Sequence, residues 1–290
     1  MSAPLRYAVV TPARNERSNL SALDDCIAKQ TMLPEEWLVV VDASTDGTLE
    51  LAEELAGHRS WARVLPLEPT ASQARGGPVV RSFMAGIRAL DSPPDVVVKI
   101  DADITFGDDY FERLLDAFAA NPRLGIASGV CYELDAGEWK PIFGTRSHVW
   151  GATRAYRRAC LELVTPLEER DGWDELDALK ARLEGWETHA IADLPFRHHR
   201  KMGNRDGRRR VWLSQGETAY YMGYRPSYLL ARTAYRVRQE PHAAMMLVGW
   251  AAAAIRRQPR VRDARVRAYL RDQQRIRQLP LRARETRGVV

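Results

Sequence analysis

Cysteine is scarce in this chain. Cys26, Cys131 and Cys160 are odd in number, far apart and free of any paired spacing, which excludes a disulfide framework and a zinc-ribbon pattern. The first residues, MSAPLRYAVV, lack a charged start followed by an apolar signal core. A reducing, cytoplasmic setting without structural zinc is therefore expected. The apolar run at 243–255 (AAMMLVGWAAAAI) has 13 residues, short of the roughly 20 that a helix needs to cross a bilayer. No glycine lies between Thr11 and Glu16, so the first loop is neither a G-x-G-x-x-G dinucleotide fingerprint nor a Walker A loop. Internal repeats and low-complexity tracts are also missing.

What is present is the composition of a folded protein, with 45 % hydrophobic and 28 % charged residues in 290. The net charge of +5 is unevenly placed. Residues 256–290 carry twelve arginines against Asp263, Asp272 and Glu285, so the remainder is net acidic. A basic tail on an acidic body suits nucleic acid, an anionic membrane face or an acidic partner, and equally a solvated helix. Together with the apolar run before it, the tail leaves open a peripheral contact with the inner face of the plasma membrane. No nucleic acid partner is expected, and a homo-oligomer is left open.

Along the first half, short apolar runs alternate with amphipathic stretches. Residues 6–10, 37–41, 63–66, 95–100 and 125–130 read as strands, and 18–30, 48–56, 79–90 and 109–120 as helices. Runs such as VVV before Lys99 suit strands covered on both faces. The expected fold class is thus α/β, a Rossmann-like, mostly parallel sheet flanked by helices. After Tyr132 regularity fades until a helix at 175–184 closed by Gly185. From Pro241 on the chain reads as helical. Two parts follow: an α/β domain at 1–205 and a basic, mainly helical C-terminal extension at 206–290.

Ligands of open α/β sheets bind at the carboxyl ends of the strands, and three polar clusters fall there. TPARNE (11–16) follows the first strand, DASTDGT (42–48) the second and DADITF (101–106) the fourth. Two carboxylates one residue apart at a strand end, Asp101 and Asp103, need a counter-charge. A hard divalent ion, Mg²⁺ or Mn²⁺, completes its shell with phosphate oxygens and so recruits a nucleoside diphosphate. Asp42 is placed to accept hydrogen bonds from a nucleoside ring or ribose. Asp46 has two readings, a ligand contact or a cap on the next helix.

VVTPARNE, VVVDASTDGT, KIDADITF and GWDELDALKARLEGW, in this order over about residues 5–200, resemble family 2 of the inverting glycosyltransferases, with the glycosyltransferase A fold. The resemblance implies a nucleoside-diphosphate sugar donor, an ion on the D-x-D triplet and an Asp or Glu general base at the start of a later helix. It implies nucleoside contacts at Pro12, Ala13, Glu16 and Asp42, a diphosphate-side position at Arg81, and donor contacts at Asp101 and Ala102. The ion's ligands are then Asp103 and Asp101, with His198 or His199 as a further one. The base falls in Asp171–Asp177, where the family's Glu-Asp order is reversed as Asp174 then Glu175, and matching the register favours Glu175. A glycan, lipid-linked or small-molecule acceptor is implied without choosing among them. Trp139, Trp150, Trp173 and Trp186 suit either sugar stacking or a core. Arg200, Lys201, Arg205 and Arg208 suit a loop closing over phosphates. The rival readings are a sugar nucleotidyltransferase, which would normally carry a glycine-rich first loop, and a non-catalytic membrane- or nucleic-acid-binding module using the Arg-rich tail.

Overall fold

The apolar runs form the expected parallel strands in the computed structural model, which describes residues 4–69, 76–142, 148–200, 207–238 and 240–275. Strands β1 (Tyr7–Ala13), β2 (Glu36–Asp42), β3 (Ala62–Leu67) and β4 (Val96–Ile100) lie in the order β3-β2-β1-β4, all parallel. Helices α1 (Arg17–Ala28), α2 (Thr48–Gly57), α3 (Gly77–Ala89) and α4 (Tyr110–Ala120) flank them. Successive side chains leave a strand on opposite faces, so each strand feeds two cores. Val39 and Val41 join Leu20, Ile27, Phe111 and Phe118 in one core, while Leu38 and Val40 join Val80 and Phe83 in the other. Each such buried side chain contributes about 1.5–3 kcal/mol. Helix α3 sits closest to the sheet at Gly86, where a Cβ would come within 2.4 Å of Val10 Cγ1 and 2.9 Å of Val40 Cγ2.

Beyond β4 the sheet becomes mixed instead of staying mostly parallel. Strands β5 (Ile104–Phe106), β6 (Leu124–Asp135), β7 (Glu138–Pro141), β8 (Thr153–Arg157) and β9 (Glu187–His198) extend it as β4-β8-β6-β9-β5, with β7 on β6. Strand β8 runs antiparallel to β4 and β6, β5 antiparallel to β9, and only β6 and β9 pair in parallel. The reason is connectivity. The chain leaves β6 through the β7 hairpin, and only the eleven residues 142–152 separate β7 from β8, fewer than the dozen or more that a crossover to a parallel strand takes. Helix α5 (Arg158–Val164) follows β8, and α6 (Trp173–Leu183) starts two residues before the expected position. Gly172, in the left-handed region at φ 80°, opens α6, so Asp174 and Glu175 both lie in its first turn.

The chain divides into two compact units, Met1–Arg200 and Lys201–Val290. The expected boundary near 205 lies outside the described residues. The second unit consists of α7 (Arg208–Tyr221), α8 (Pro226–Val237), a 3-10 turn (Pro241–Ala244), α9 (Met245–Ile255) and α10 (Ala264–Gln273). The apolar run is spent largely on helix packing. A Cβ on Gly216 would lie 2.1 Å from Met246 O, and one on Gly249 would lie 2.1 Å from Leu213 O, so α7 and α9 touch backbone to backbone. Met246 and Ala253 are buried while Val248 and Ile255 stay exposed. Among the described residues no helix is long and apolar enough to cross a membrane.

Candidate active site

Parallel strands deliver their carboxyl ends to one edge. Ala13 is in register with Val41, the residue before Asp42, and β4 ends at Ile100, directly before Asp101. The loops after β1 and β2 are joined by hydrogen bonds. Asn15 N–H donates to Ser44 Oγ at 3.1 Å, Thr45 N–H to Asn15 Oδ1 at 2.9 Å and Glu16 N–H to Thr48 Oγ1 at 2.8 Å. Asp46, one residue ahead of the Gly47 that precedes α2, accepts from the Thr48 amide at 3.0 Å and from the Arg17 amide at 3.2 Å. Asp42 is buried. Its Oδ2 accepts from Arg81 at 3.1 Å, while its Oδ1 and the Arg81 Nε have no hydrogen-bond partner among the described residues. A buried polar atom left open costs about 1–3 kcal/mol, and a ligand supplying a donor to Asp42 and an acceptor to Arg81 would recover that cost. Pro12 is half-buried and Ala13 fully buried at the tip of β1.

Glu16, expected as a nucleoside contact, is held by protein partners in this structure. Its two carboxylate oxygens take the Arg200 guanidinium at 2.9 and 2.6 Å and the Asn19 amide at 2.8 Å. Those oxygens are already engaged by protein donors, so in this arrangement Glu16 ties the first loop to Arg200.

At the D-x-D triplet the protein supplies its own cations. Lys99, 2 % exposed, pairs with Asp101 Oδ1 and donates to Gly151 O at 2.7 Å, with the Trp173 ring 5.7 Å away. Burial pushes the Asp101 carboxyl up and the Asp103 charge adds to this, against the pull of Lys99. Asp103 has His198 Nε2 3.3 Å from Oδ1 and Arg200 3.7 Å from Oδ2. Burial would raise Asp103 too, but the His198 hydrogen bond and the charges of His198 and Arg200 hold it below the ordinary carboxylate value. His198 responds in kind: burial opposes its charge, yet Asp103, with Asp101 and Glu133 behind it, raises its pKa. Ala102 packs its side chain in the apolar core, so only its backbone can meet a ligand.

The strand register separates the two histidines. His198 pairs with Ile104 across β9 and β5 and turns to Asp103. His199 meets Thr105 Oγ1 at 2.8 Å and the edge of Trp139, while its backbone N–H donates to Asp103 O. Burial lowers its pKa. The donor set of Asp101, Asp103 and His198 is two hard carboxylates and one imidazole, chemistry that fits Mg²⁺ or Mn²⁺.

Helix α6 carries the candidate bases. Asp174 is half-buried and its Oδ2 lies 3.1 Å from where a Gly151 Cβ would stand, beside the carbonyl that holds Lys99. Glu175 is exposed. The first turn of α6 is held from below by Arg154, which is fully buried. It pairs with Asp177 and donates to Tyr156 Oη at 2.9 Å, Val149 O at 2.7 Å and Asp174 O at 2.7 Å. Trp150 and Trp173 are core residues, and Trp186 packs on Gly125. Trp139 alone of the four lies beside the His199 ring. Arg208 opens α7 and pairs with Glu240, while Lys201 and Arg205 lie outside the described residues. Sequence reasoning missed Lys99 and Arg154; a signal was available for Lys99 alone, a cation inside the otherwise apolar run VVVKI, whereas Arg154 lies in the mixed segment TRAYR.

Comparison with known proteins adds a family and a fold. Residues 8–164, just over half of the chain, match the sequence model described as glycosyl transferase family 2. The chain is 35 % identical over 176 residues to polyprenol monophosphomannose synthase of Mycolicibacterium smegmatis, covering 55 % of this chain and 64 % of that protein. It is 33 % identical over 109 residues to the succinoglycan biosynthesis protein ExoA of Rhizobium meliloti, covering 37 % and 31 %. It thus spans less than two thirds of the length of either relative. A solved mannosyltransferase from Pyrobaculum calidifontis, in complex with GDP-Man and Mn²⁺, superposes with TM-score 0.59 at 18 % identity, over 98 % of this chain and 84 % of that one. TarS from S. aureus, in complex with UDP, gives 0.54 at 19 % identity, over 73 % and 64 %. At these identities the likeness is one of fold, the glycosyltransferase A arrangement of a mixed sheet between helices.

Proposed function

The chain belongs to glycosyl transferase family 2 and is a glycosyltransferase, and from that premise we propose that it moves a sugar, with inversion and with a divalent ion, from a nucleoside diphosphate to an acceptor oxygen. The observation that supports this reading is that Asp42 and Asp101 follow the carboxyl ends of β2 and β4, the two strands that flank β1, while Asp103 contacts His198. Asp101, Asp103 and His198 would hold the ion, Mg²⁺ or Mn²⁺, which when bound spreads the negative charge that develops on the departing diphosphate. Lys99 keeps Asp101 oriented. Asp42 accepts from a donor group of the nucleoside, and Arg81 stands on its far side.

The acceptor oxygen attacks the anomeric carbon from the face opposite the diphosphate. The carbon–oxygen bond to the diphosphate breaks and its electron pair leaves with the phosphate. With a hydroxyl acceptor the proton passes to a carboxylate of α6, and we assign that role to Asp174 over Glu175. Support comes from its half-buried place beside Gly151 and Lys99, whereas Glu175 is exposed. Fixed geometry of this kind is a major source of rate acceleration.

GDP-mannose with a polyprenyl phosphate is the first donor and acceptor to assay, because the names of two similar proteins point there. A lipid-linked acceptor would bring the protein to a membrane face, a reading supported by the arginines from Arg256 onward. Transfer is followed by mass spectrometry of the acceptor over a panel of nucleotide sugars with Mn²⁺, Mg²⁺ or chelator. Turnover with one donor, lost in chelator and in Asp103→Ala, is the expected result. Donor hydrolysis and transfer both absent across the panel, or activity unchanged in Asp103→Ala, overturns the reading.

A further inference from the structure

Strand alternation places Cys131 and Glu133 on the same face of β6, and the parallel register sets His198 of β9 directly beside Glu133. The Cys131 Sγ, a Glu133 carboxylate oxygen and a His198 ring nitrogen lie within 4.8 Å of one another. We propose that these three side chains form a second metal site, selective for thiophilic divalent ions such as Zn²⁺ or Co²⁺, which draws His198 away from the Asp101–Asp103 site.

The chemistry separates the two sites. Two carboxylates and an imidazole suit a hard ion, whereas one thiolate, one imidazole and one carboxylate suit zinc, leaving a fourth position for water. Tetrahedral bonds of about 2.0–2.3 Å put ligand atoms roughly 3.3–3.6 Å apart, so side-chain rotations of about 1 Å close the set. A thiolate and a carboxylate also balance the charge of a divalent ion. Without metal the Cys131 thiol is protonated, since burial, with Glu133 and Asp103 nearby, pushes its pKa up to about 12. Binding forms the sulfur–metal bond and releases one proton to solvent.

His198 is the shared element. A neutral imidazole has one lone pair to give, so His198 committed to the thiolate ion is withdrawn from an ion held by Asp101 and Asp103. This antagonism rests on the metal reading of those aspartates, whereas the existence of the thiolate site does not.

Cobalt titration of the full chain under a non-thiol reductant tests the site without any assay of transfer. The thiolate-to-cobalt absorption in the near ultraviolet should rise to one equivalent and be displaced by zinc. It should vanish in Cys131→Ser and Cys131→Ala and persist in Cys26→Ser and Cys160→Ser. Glu133→Gln, which leaves the buried thiol in place, should weaken cobalt binding more than tenfold. Asp101→Asn should keep the band while losing Mn²⁺-dependent donor binding, which separates failure of this site from failure of the catalytic reading. Saturating zinc should raise the Mn²⁺ concentration needed for donor binding at least tenfold in the unaltered chain and leave it unmoved in Cys131→Ser. No thiolate band, or a band that survives Cys131→Ser, overturns the site; zinc without effect on Mn²⁺ overturns the sharing of His198.

Discussion

Replacing Asp177 by Asn breaks a pair in which Arg154 is fully buried and Asp177 is 2 % exposed. Removing one partner of a buried ion pair leaves the other charge without compensation, and about 3–5 kcal/mol is the usual loss. Here Arg154 keeps three other acceptors, Tyr156 Oη, Val149 O and Asp174 O, so the loss should fall near 3 kcal/mol. At about 2–4 °C per kcal/mol for a unit of this size, the melting temperature should drop by about 6–12 °C. Because the same guanidinium holds the carbonyl of Asp174, kcat should fall while donor KM stays within about twofold, the pattern expected when transition-state positioning alone is lost. Urea denaturation of Asp177→Asn, Arg154→Met and the double variant Arg154→Met/Asp177→Leu supplies the test. Well-packed apolar replacements of a buried pair are often neutral, so the double variant should be more stable than either single one. A loss below about 1 kcal/mol in Asp177→Asn, or a double variant as weak as the two losses added together, refutes the reasoning.

Gly86→Ala forces a methyl to within 2.4 Å of Val10 Cγ1, and the overpacking should cost about 1–3 kcal/mol by the same denaturation measurement. Asp46→Ala should cost about 1 kcal/mol, since it removes the carboxylate that accepts from the Thr48 amide at the start of α2 and from the Arg17 amide, as loss of a capping side chain does. Desolvation opposes the charge, but the hydrogen bonds from Thr48 and from the Arg17 amide together hold the Asp46 pKa below its ordinary value. A lowered carboxylate pKa stabilises the fold above the unfolded-state value and loses that contribution as pH falls through the folded-state value. The melting difference between Asp46→Ala and the unaltered chain should therefore be full at pH 6 and shrink towards pH 3; a constant difference contradicts the assignment. In transfer to a hydroxyl acceptor, Asp174→Asn should lose activity by at least a hundredfold with donor affinity kept, and Glu175→Gln should retain it; the reverse order returns the base to Glu175.

The parallel half of the sheet was legible because β2 and β4 carry the apolar runs WLVVV and VVV, with Asp42 directly after the first and Asp101 directly after the end of β4, and a parallel sheet has to bring those aspartates to one edge. Strand β9 was not legible. Its sequence ETHAIADLPFRH contains Pro195 and scattered charges, and the pairing of β6 with β9 is broken by two register shifts, so no alternation of period two survives. The two histidines could not be ranked from spacing, since which of them faces Asp103 is set by the parity of β9 against β5. Lys99 and Arg154 look like ordinary strand residues until their partners, Gly151 and Asp177, arrive from distant parts of the chain. Cys131 is a similar case: spacing rules find ligands close in sequence, and Cys131, Glu133 and His198 meet only across neighbouring strands.

Calorimetric titration of the better-bound of GDP-mannose and UDP-glucose into the full chain, with Mn²⁺ and then with chelator, addresses the central claim most directly. Affinity should fall at least tenfold in chelator, about 1.4 kcal/mol, and Asp103→Ala should bind at the chelator level whether or not Mn²⁺ is present. Equal affinity in all conditions, with the variant indistinguishable from the unaltered chain, would contradict the assignment of Asp101, Asp103 and His198 to a donor-binding ion.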